Sequence, residues 1–376
     1  MKKISIAPRE NWEKKVEDLG LVYNTTPDGR PYWNESEYYQ FSMEEIDEIE
    51  EATNELHEMC MKAAEHVIKE NLFHQFCIPE KFVPLIKWSF ENEQETSVYG
   101  RFDLAYKNRE IKMLEYNADT PTSLLEASVI QWLWKEEVFP KADQFNSIHE
   151  RLVKKWDEIL TFPTLYFVHS YESAHEDFMN VTYMRDTAEE AGTVTEGLMM
   201  DQIGWLEGKF VDLEDKEIKN IFKLYPWEWM VEEEFADNLL EAYKEMKWIE
   251  PIWKMLLSNK AILPILWELY PNHKYLLEAS FEPLAGDYVK KPKLSREGQN
   301  IVIVRKTEHG ELLTMTDGSY DESEAVYQKF IDVSVEGKTP ILGSWVVGGE
   351  AAGMGIRECA GLVTDNTSQF IPHIIV

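Results

Sequence analysis

The chain has 376 residues, enough for one large domain or two smaller ones with an ample buried core. A hydrophobic fraction of 44% and an aromatic fraction of 12% suit a globular enzyme and argue against a disordered or fibrous chain. With 38 basic and 69 acidic residues the net charge is −31, which opposes binding to a nucleic-acid backbone or an anionic lipid surface and favours solubility and cationic partners.

The N-terminal Met1-Lys2-Lys3-Ile4-Ser5 is followed by charge rather than an apolar stretch, and no apolar run reaches membrane-spanning length. Cys60, Cys77 and Cys359 are too few and too widely spaced for a disulfide framework or a zinc pair, so a cytoplasmic location is expected. From Ser42 to about Glu70, apolar residues recur at helical intervals, with Ser42 as N-cap and Glu45 completing a capping box. Residues 97–106 and 111–116 alternate polar and apolar around Lys107-Asn108-Arg109-Glu110, which predicts a β-hairpin.

Downstream, Leu124 to Trp134 is expected to be a helix, and Thr164 to His169 a buried strand. A helix from Ala174 to Glu190, closed by Gly192, then leads to a strand at Thr193-Val194-Thr195, giving a βαβ unit. The segment Ile218 to Leu257 has a mostly helical pattern broken by Pro226 and Pro251. Strands are expected at Asn300 to Arg305, Ile341 to Val347 and Phe370 to Val376, so the fold class is α/β or mixed α+β. With no internal repeat or linker, residues 1–376 read as one interleaved module. Its soft sub-regions are 1–155 with the hairpin 97–117, 156–250 with the βαβ unit and acidic helices, and 251–376 with the later strands.

The hairpin carries the sharpest chemistry. A three-residue loop at Asn108 to Glu110 places Asp103 across from Glu115, Arg101 across from Asn117, and Phe102 across from Tyr116. Two facing carboxylates repel unless a cation lies between them, and with the Asn117 carbonyl and phosphate oxygens they make a hard oxygen site suited to magnesium. An ordinary solvated hairpin face with an Arg-Asp surface pair carries the same pattern, and the spacing alone leaves both readings open. The following turn supplies the hydroxyls of Thr120, Thr122 and Ser123 ahead of a helix N-terminus able to receive a carboxylate.

Three further groups stand out. Tyr288 to Gly298 followed by Ile301 to Val304 reads either as a solvated basic loop or as a flap over phosphates with Lys291 and Arg296 as charged contacts, and Lys260 at an expected strand start as either an exposed lysine or a further phosphate contact. Val346 to Glu358 is a strand running into a Gly-rich loop, which suits a flexible hairpin tip or close approach to a ligand, and then Arg357, whose guanidinium suits transition-state charge. His175-Glu176-Asp177 opens a helix and suits either a cationic amine or simple helix capping.

In order and spacing, Y-G-R-F-D-L-A-Y, M-L-E-Y-N-A-D-T-P-T-S, K-K-P-x-x-x-R-E-G and V-V-G-G-E-x-A-G-M-G-I-R cover nearly the whole chain. The set resembles the synthetase module of glutathionylspermidine synthetases and their stand-alone bacterial relatives. The resemblance implies an ATP-grasp fold in permuted order, with a preceding βαβ-containing substrate domain and the nucleotide-binding part in 251–376. It also implies an ATP- and Mg2+-dependent acid–amine ligase that forms an amide through an acyl phosphate. By the same resemblance Asp103, Glu115 and Asn117 are metal ligands, Arg101 and Arg357 stabilise the transferring groups, and Lys260 and Lys291 bind ATP. Arg296, Thr120, Thr122 and Ser123 fall at the acid site, and Glu176 and Asp177 near the amine site.

Nothing in the sequence resembles the cysteine amidase domain of the two-domain synthetases, so amide hydrolysis is not expected. Ser295 stands where relatives commonly have glycine and Thr120 where they have serine, which leaves the acid open. The expected partners are a small-molecule acid and a small-molecule amine, the resemblance implying a polyamine-like amine. The competing class is a nucleotide- or polyamine-binding protein without ligase activity, and a third is a carboxylate kinase that stops at the acyl phosphate.

Overall fold

The computed structural model describes residues 1–26, 28–159, 164–171, 176–308, 310–365 and 367–376. At its centre is an antiparallel sheet in the order Gln369–Phe370, Glu350–Cys359, Thr339–Val347, Tyr99–Lys107 and Glu110–Asn117. The helix Met43–Lys69 packs on it, burying Ile46, Ile49, Leu56, Cys60, Ala63 and Val67 along one stripe. Its start is fixed as expected: the Glu45 amide donates to the Ser42 hydroxyl at 3.3 Å and the Ser42 amide donates to the Glu45 carboxylate at 3.0 Å. Two polar contacts tie this helix to the sheet, Thr53 with Ser344 at 2.7 Å and the Ala351 amide with Asn54 at 2.7 Å.

The βαβ unit is present. Thr164–His169 and Val194–Met199 pair in parallel and are joined through the helix Glu176–Glu190, which ends at Gly192 with φ 87°. The expected helix start at Ala174, and His175, lie outside the described residues. The expectation of a mostly helical 218–257 broken at Pro226 and Pro251 holds in part: Trp227–Met230 and Ala236–Ala242 are helices, but Asn220–Leu224 and Lys247–Ile249 are parallel strands that complete a sheet in the order Lys247–Ile249, Asn220–Leu224, Thr164–His169, Val194–Met199. All five residues of Asn220–Leu224 are buried, Asn220 and Lys223 included, so the polar–apolar alternation that marks a half-buried strand is missing from its sequence.

A third sheet, in the order Ala279–Ser280, Ala325–Lys329, Tyr288–Pro292, Val302–Thr307, Gly310–Met315, is antiparallel and contains the basic flap. Three expectations shift locally. Lys260 precedes the helix Ile262–Leu269 rather than a strand; the buried apolar run Ile262–Leu266 carries no periodicity that separates the two. The Gly-rich loop shrinks to Gly348-Gly349, with φ 61° and 86°, a two-residue turn between Val347 and Glu350; Gly353 and Gly355 lie within the following strand. The last strand breaks into Gln369–Phe370 and His373–Ile375 around Pro372, and the second piece joins Lys2–Ser5 and Glu37–Phe41, bringing the two chain ends into one sheet. Among the described residues no helix is long and apolar enough to cross a membrane.

Candidate active site

The predicted hairpin pairing is realised, by a different turn. Lys107 faces Glu110 across a two-residue turn, Asn108-Arg109, with φ 52° and 66°. That turn alone would put Asp103 opposite Leu114. A β-bulge between Asp103 and Leu104 shifts the register by one residue, so Asp103 faces Glu115, Arg101 faces Asn117 and Phe102 faces Tyr116. Phe102 and Tyr116 stack at 3.8 Å on the core side, which leaves the polar face free to line a cleft of about 580 Å³.

On that face Asp103 accepts from Arg101 Nε at 2.8 Å and from Arg357 Nη2 at 2.7 Å. Arg101 also donates to the Thr122 carbonyl at 2.6 Å. Glu115 lies 3.2 Å from Lys260 Nζ and accepts from Asn117 Nδ2 at 3.2 Å. Burial would raise its carboxyl, but Lys260 and Lys291 outweigh that and hold it well below the usual carboxylate range. Lys260 donates to the Ser295 carbonyl at 2.5 Å, and Lys291 donates to the Gln328 side chain at 2.8 Å and to the Leu114 carbonyl at 3.0 Å. The bulge therefore has a second consequence, since the carbonyl of its extra residue is held by a flap lysine. Burial pushes Lys291 down to about 8, with Glu115 opposing the shift.

Opposite lies Arg296, which donates to Thr120 Oγ1 at 2.6 Å and to Glu228 at 2.5 Å. Thr122, Glu176 and Asp177 line the same cleft. Ser123 does not: its backbone has φ 68°, and its hydroxyl lies 3.4 Å from the Tyr32 hydroxyl, turned into the interior. The helix after it runs from Leu124 through a π-turn at Glu126–Ile130, and its Leu124 amide is already taken by Asn180 at 2.9 Å. Every other residue nominated from the sequence borders this one cleft.

Several supporting residues escaped the sequence reading. Gln328 and Glu228 orient Lys291 and Arg296. Gly343 lies under Arg101, where a Cβ would meet Arg101 Cδ at 2.9 Å. Asp119 accepts from Lys223 Nζ at 2.7 Å and from the Trp227 amide at 2.9 Å, all within the interior, and so ties the Thr120–Thr122 loop to the parallel sheet. The neighbouring Asp119-Thr120 sequence was the available signal for the last of these; the others have none at short range.

Asp103, Glu115 and Asn117 share one face of the hairpin, and the two carboxylates are neutralised here by arginine and lysine side chains, so positive charge belongs at this point. Among the described residues no group of three or more His, Cys, Asp or Glu forms a self-sufficient metal cage. Two carboxylates and an amide oxygen suit a hard cation such as magnesium, which ordinarily completes its shell with water and substrate phosphate oxygens.

Comparison with known proteins places the chain in a family. The family model described as "Glutathionylspermidine synthase preATP-grasp" matches residues 3–376, and the chain belongs to that family of ATP-dependent acid–amine ligases. It is 44% identical over 395 aligned positions to a protein of Haemophilus influenzae named as an acid–amine ligase, with all of both chains covered. It is 31% identical to the bifunctional glutathionylspermidine synthetase/amidase of Escherichia coli, over 91% of this chain and 60% of that one. A glutathione synthetase-like effector from Globodera pallida, in its apo form, has the same fold at 10% identity, with a TM-score of 0.57 over 97% of this chain and 96% of that one.

Proposed function

We propose that the cleft binds ATP and a divalent cation, phosphorylates the carboxylate of a small acid, and passes the acyl group to an amine, releasing ADP and phosphate. The observation that carries this reading is the convergence of cationic and carboxylate side chains from the central sheet, the flap and the turn before Ile262–Leu269 on one cleft: Arg101, Asp103, Glu115, Lys260, Lys291, Arg296 and Arg357. Lys260 and Lys291 hold the nucleotide phosphates, and the buried hydrogen bonds of Lys291 to Gln328 and Leu114 keep it in place before ligand arrives. Asp103, Glu115 and Asn117 would hold magnesium, which would supply charge neutralisation for the phosphates.

Arg101 and Arg357 neutralise Asp103 in this structure and are the groups available to the transferring phosphoryl and to the tetrahedral centre that follows. Arg296, with Thr120 and Thr122, receives the acid, and Glu176 and Asp177 attract the amine. Attack by the amine nitrogen on the acyl carbon breaks the C–O bond to phosphate, and the proton lost from nitrogen leaves to solvent or to a nearby carboxylate. The soft sub-regions 1–155, 156–250 and 251–376 then correspond to metal-holding, substrate and nucleotide parts. Relatives named for glutathionylspermidine and trypanothione synthesis support a peptide acid and a polyamine as the first substrates to try.

The test is ADP release by purified protein with magnesium and ATP across peptides and amino acids, with and without polyamines, for wild type and Glu115→Ala. Release that needs both acid and amine, yields an amide and is lost in the variant is expected. ATP binding with no turnover on any pair favours a non-catalytic binding protein; amine-independent phosphate release favours a carboxylate kinase.

A further inference from the structure

A second cavity, of about 670 Å³, opens beside the cleft and shares Ser170, Tyr225 and Trp229 with it. Its place follows from the topology of the parallel sheet. From Thr164–His169 the chain passes to Val194–Met199 on one side, then returns to Asn220–Leu224 on the other. Where connections diverge in this way, a crevice forms beyond the carboxyl ends of the strands, and open parallel sheets bind ligands there. Ser170 and Tyr171 follow the first of these strands, Met200 the second and Tyr225 the third, and all four line the cavity.

The lining is aromatic. Tyr225 and Trp229 meet edge to face at 5.3 Å and Phe210 and Trp248 at 5.5 Å, while Tyr171, Phe235 and Trp229 keep 75%, 50% and 40% of their surface exposed. Among the described residues the charged groups of the lining are the carboxylates Asp201 and Glu233, with no lysine or arginine. Ring faces attract cations, and carboxylates add to the attraction without any basic side chain to offset it. The apolar walls meanwhile favour a ligand with a hydrocarbon or aromatic body. The main cleft next door is different, because cationic side chains dominate its phosphate end.

We propose that this cavity receives the tail of the amine substrate, an apolar group carrying a second positive charge, while the reacting nitrogen lies in the cleft beside Glu176 and Asp177. The assignment of the tail to a substrate rests on the ligase reading. It makes the amine an apolar-substituted diamine rather than a bare polyamine, with Tyr225 and Trp229 as the wall along which the chain passes from one cavity to the other.

The test is calorimetric titration of N-benzylputrescine, putrescine and phenylbutyrate into wild type, Phe235→Ala and the double variant Asp201→Asn/Glu233→Gln. All three positions are exposed and outside the main cleft, so the fold is kept. N-benzylputrescine is expected to bind at least about tenfold tighter than putrescine, with phenylbutyrate silent and the preference erased in both variants. Equal affinities, a preference that survives both variants, or failure of N-benzylputrescine to bind overturns the cavity. ATP-dependent hydroxamate formation from hydroxylamine, which is too small to need the second cavity, tests the ligase reading separately. Hydroxamate without benzyl preference sinks the cavity alone; benzyl preference in a protein that makes no hydroxamate with any acid sinks the ligase reading and the substrate role of the tail.

Discussion

The two sides of the active cleft hold their charges differently. On the central-sheet and flap side each charged group already has a partner at hydrogen-bonding distance: Asp103 with two arginines, Glu115 with Lys260, Lys291 with Gln328 and a bulge carbonyl. On the parallel-sheet side, the helix-start carboxylates Glu176 and Asp177 line the cleft, and exposed rings border a roomy second cavity beside it. Fixed, buried charges suit a step common to every substrate, since preorganisation removes the cost of arranging dipoles during reaction. An aromatic wall with carboxylates near its rim suits the part of the reaction that varies with substrate. On the proposed reading chemistry belongs to one wall and selectivity to the other, with Asp119 and Lys223 joining them.

That joint is the place to break the comparison most severely. Asp119→Ala leaves Lys223 buried against the Tyr225 carbonyl without its counter-charge, and is expected to cost about 3–5 kcal/mol of stability, read as a fall in thermal midpoint and in denaturant midpoint. Next in size, Arg357→Ala removes a fixed charge from the chemical wall and should lower kcat by roughly 10²–10³-fold with little change in amine KM.

A pH profile sharpens the contrast. Lys291 loses its proton near 8 because burial disfavours its charged form, so kcat/KM for ATP should be flat below that pH and fall as pH rises through it. Lys291→Arg keeps its charge and should move the alkaline limb upward, whereas a limb unchanged by this substitution would assign it to another group. The smallest effect belongs to the substrate side: Glu228→Gln loosens Arg296 and should raise the KM of the acid by about tenfold, roughly 1.4 kcal/mol, with kcat nearly unchanged.

What was legible in the sequence follows the same division. The Asp103–Glu115 and Arg101–Asn117 pairs were readable because a strand repeats every two residues, so the polar face is fixed; a shorter turn and a bulge compensate for one another. The helix Met43–Lys69 was readable from its capping box. Asn220–Leu224 was not, since its polar residues Asn220 and Lys223 are buried along with the apolar ones and stand three apart, a helical rather than a strand spacing. Nor were the partners Gln328, Glu228 and Asp119, which meet Lys291, Arg296 and Lys223 across 37, 68 and 104 residues of chain. Ser123 shows the converse: a hydroxyl beside two cleft threonines that the left-handed backbone at its own position turns inward.

The most direct test of the account is hydroxamate formation from hydroxylamine, ATP and magnesium across a panel of amino acids and peptides, in wild type and Glu115→Ala. Hydroxamate that requires the acid, the nucleotide and magnesium, and that disappears in the variant, is the predicted result. ATP turnover indifferent to the acid, or hydroxamate undiminished when Glu115 is removed, would contradict it.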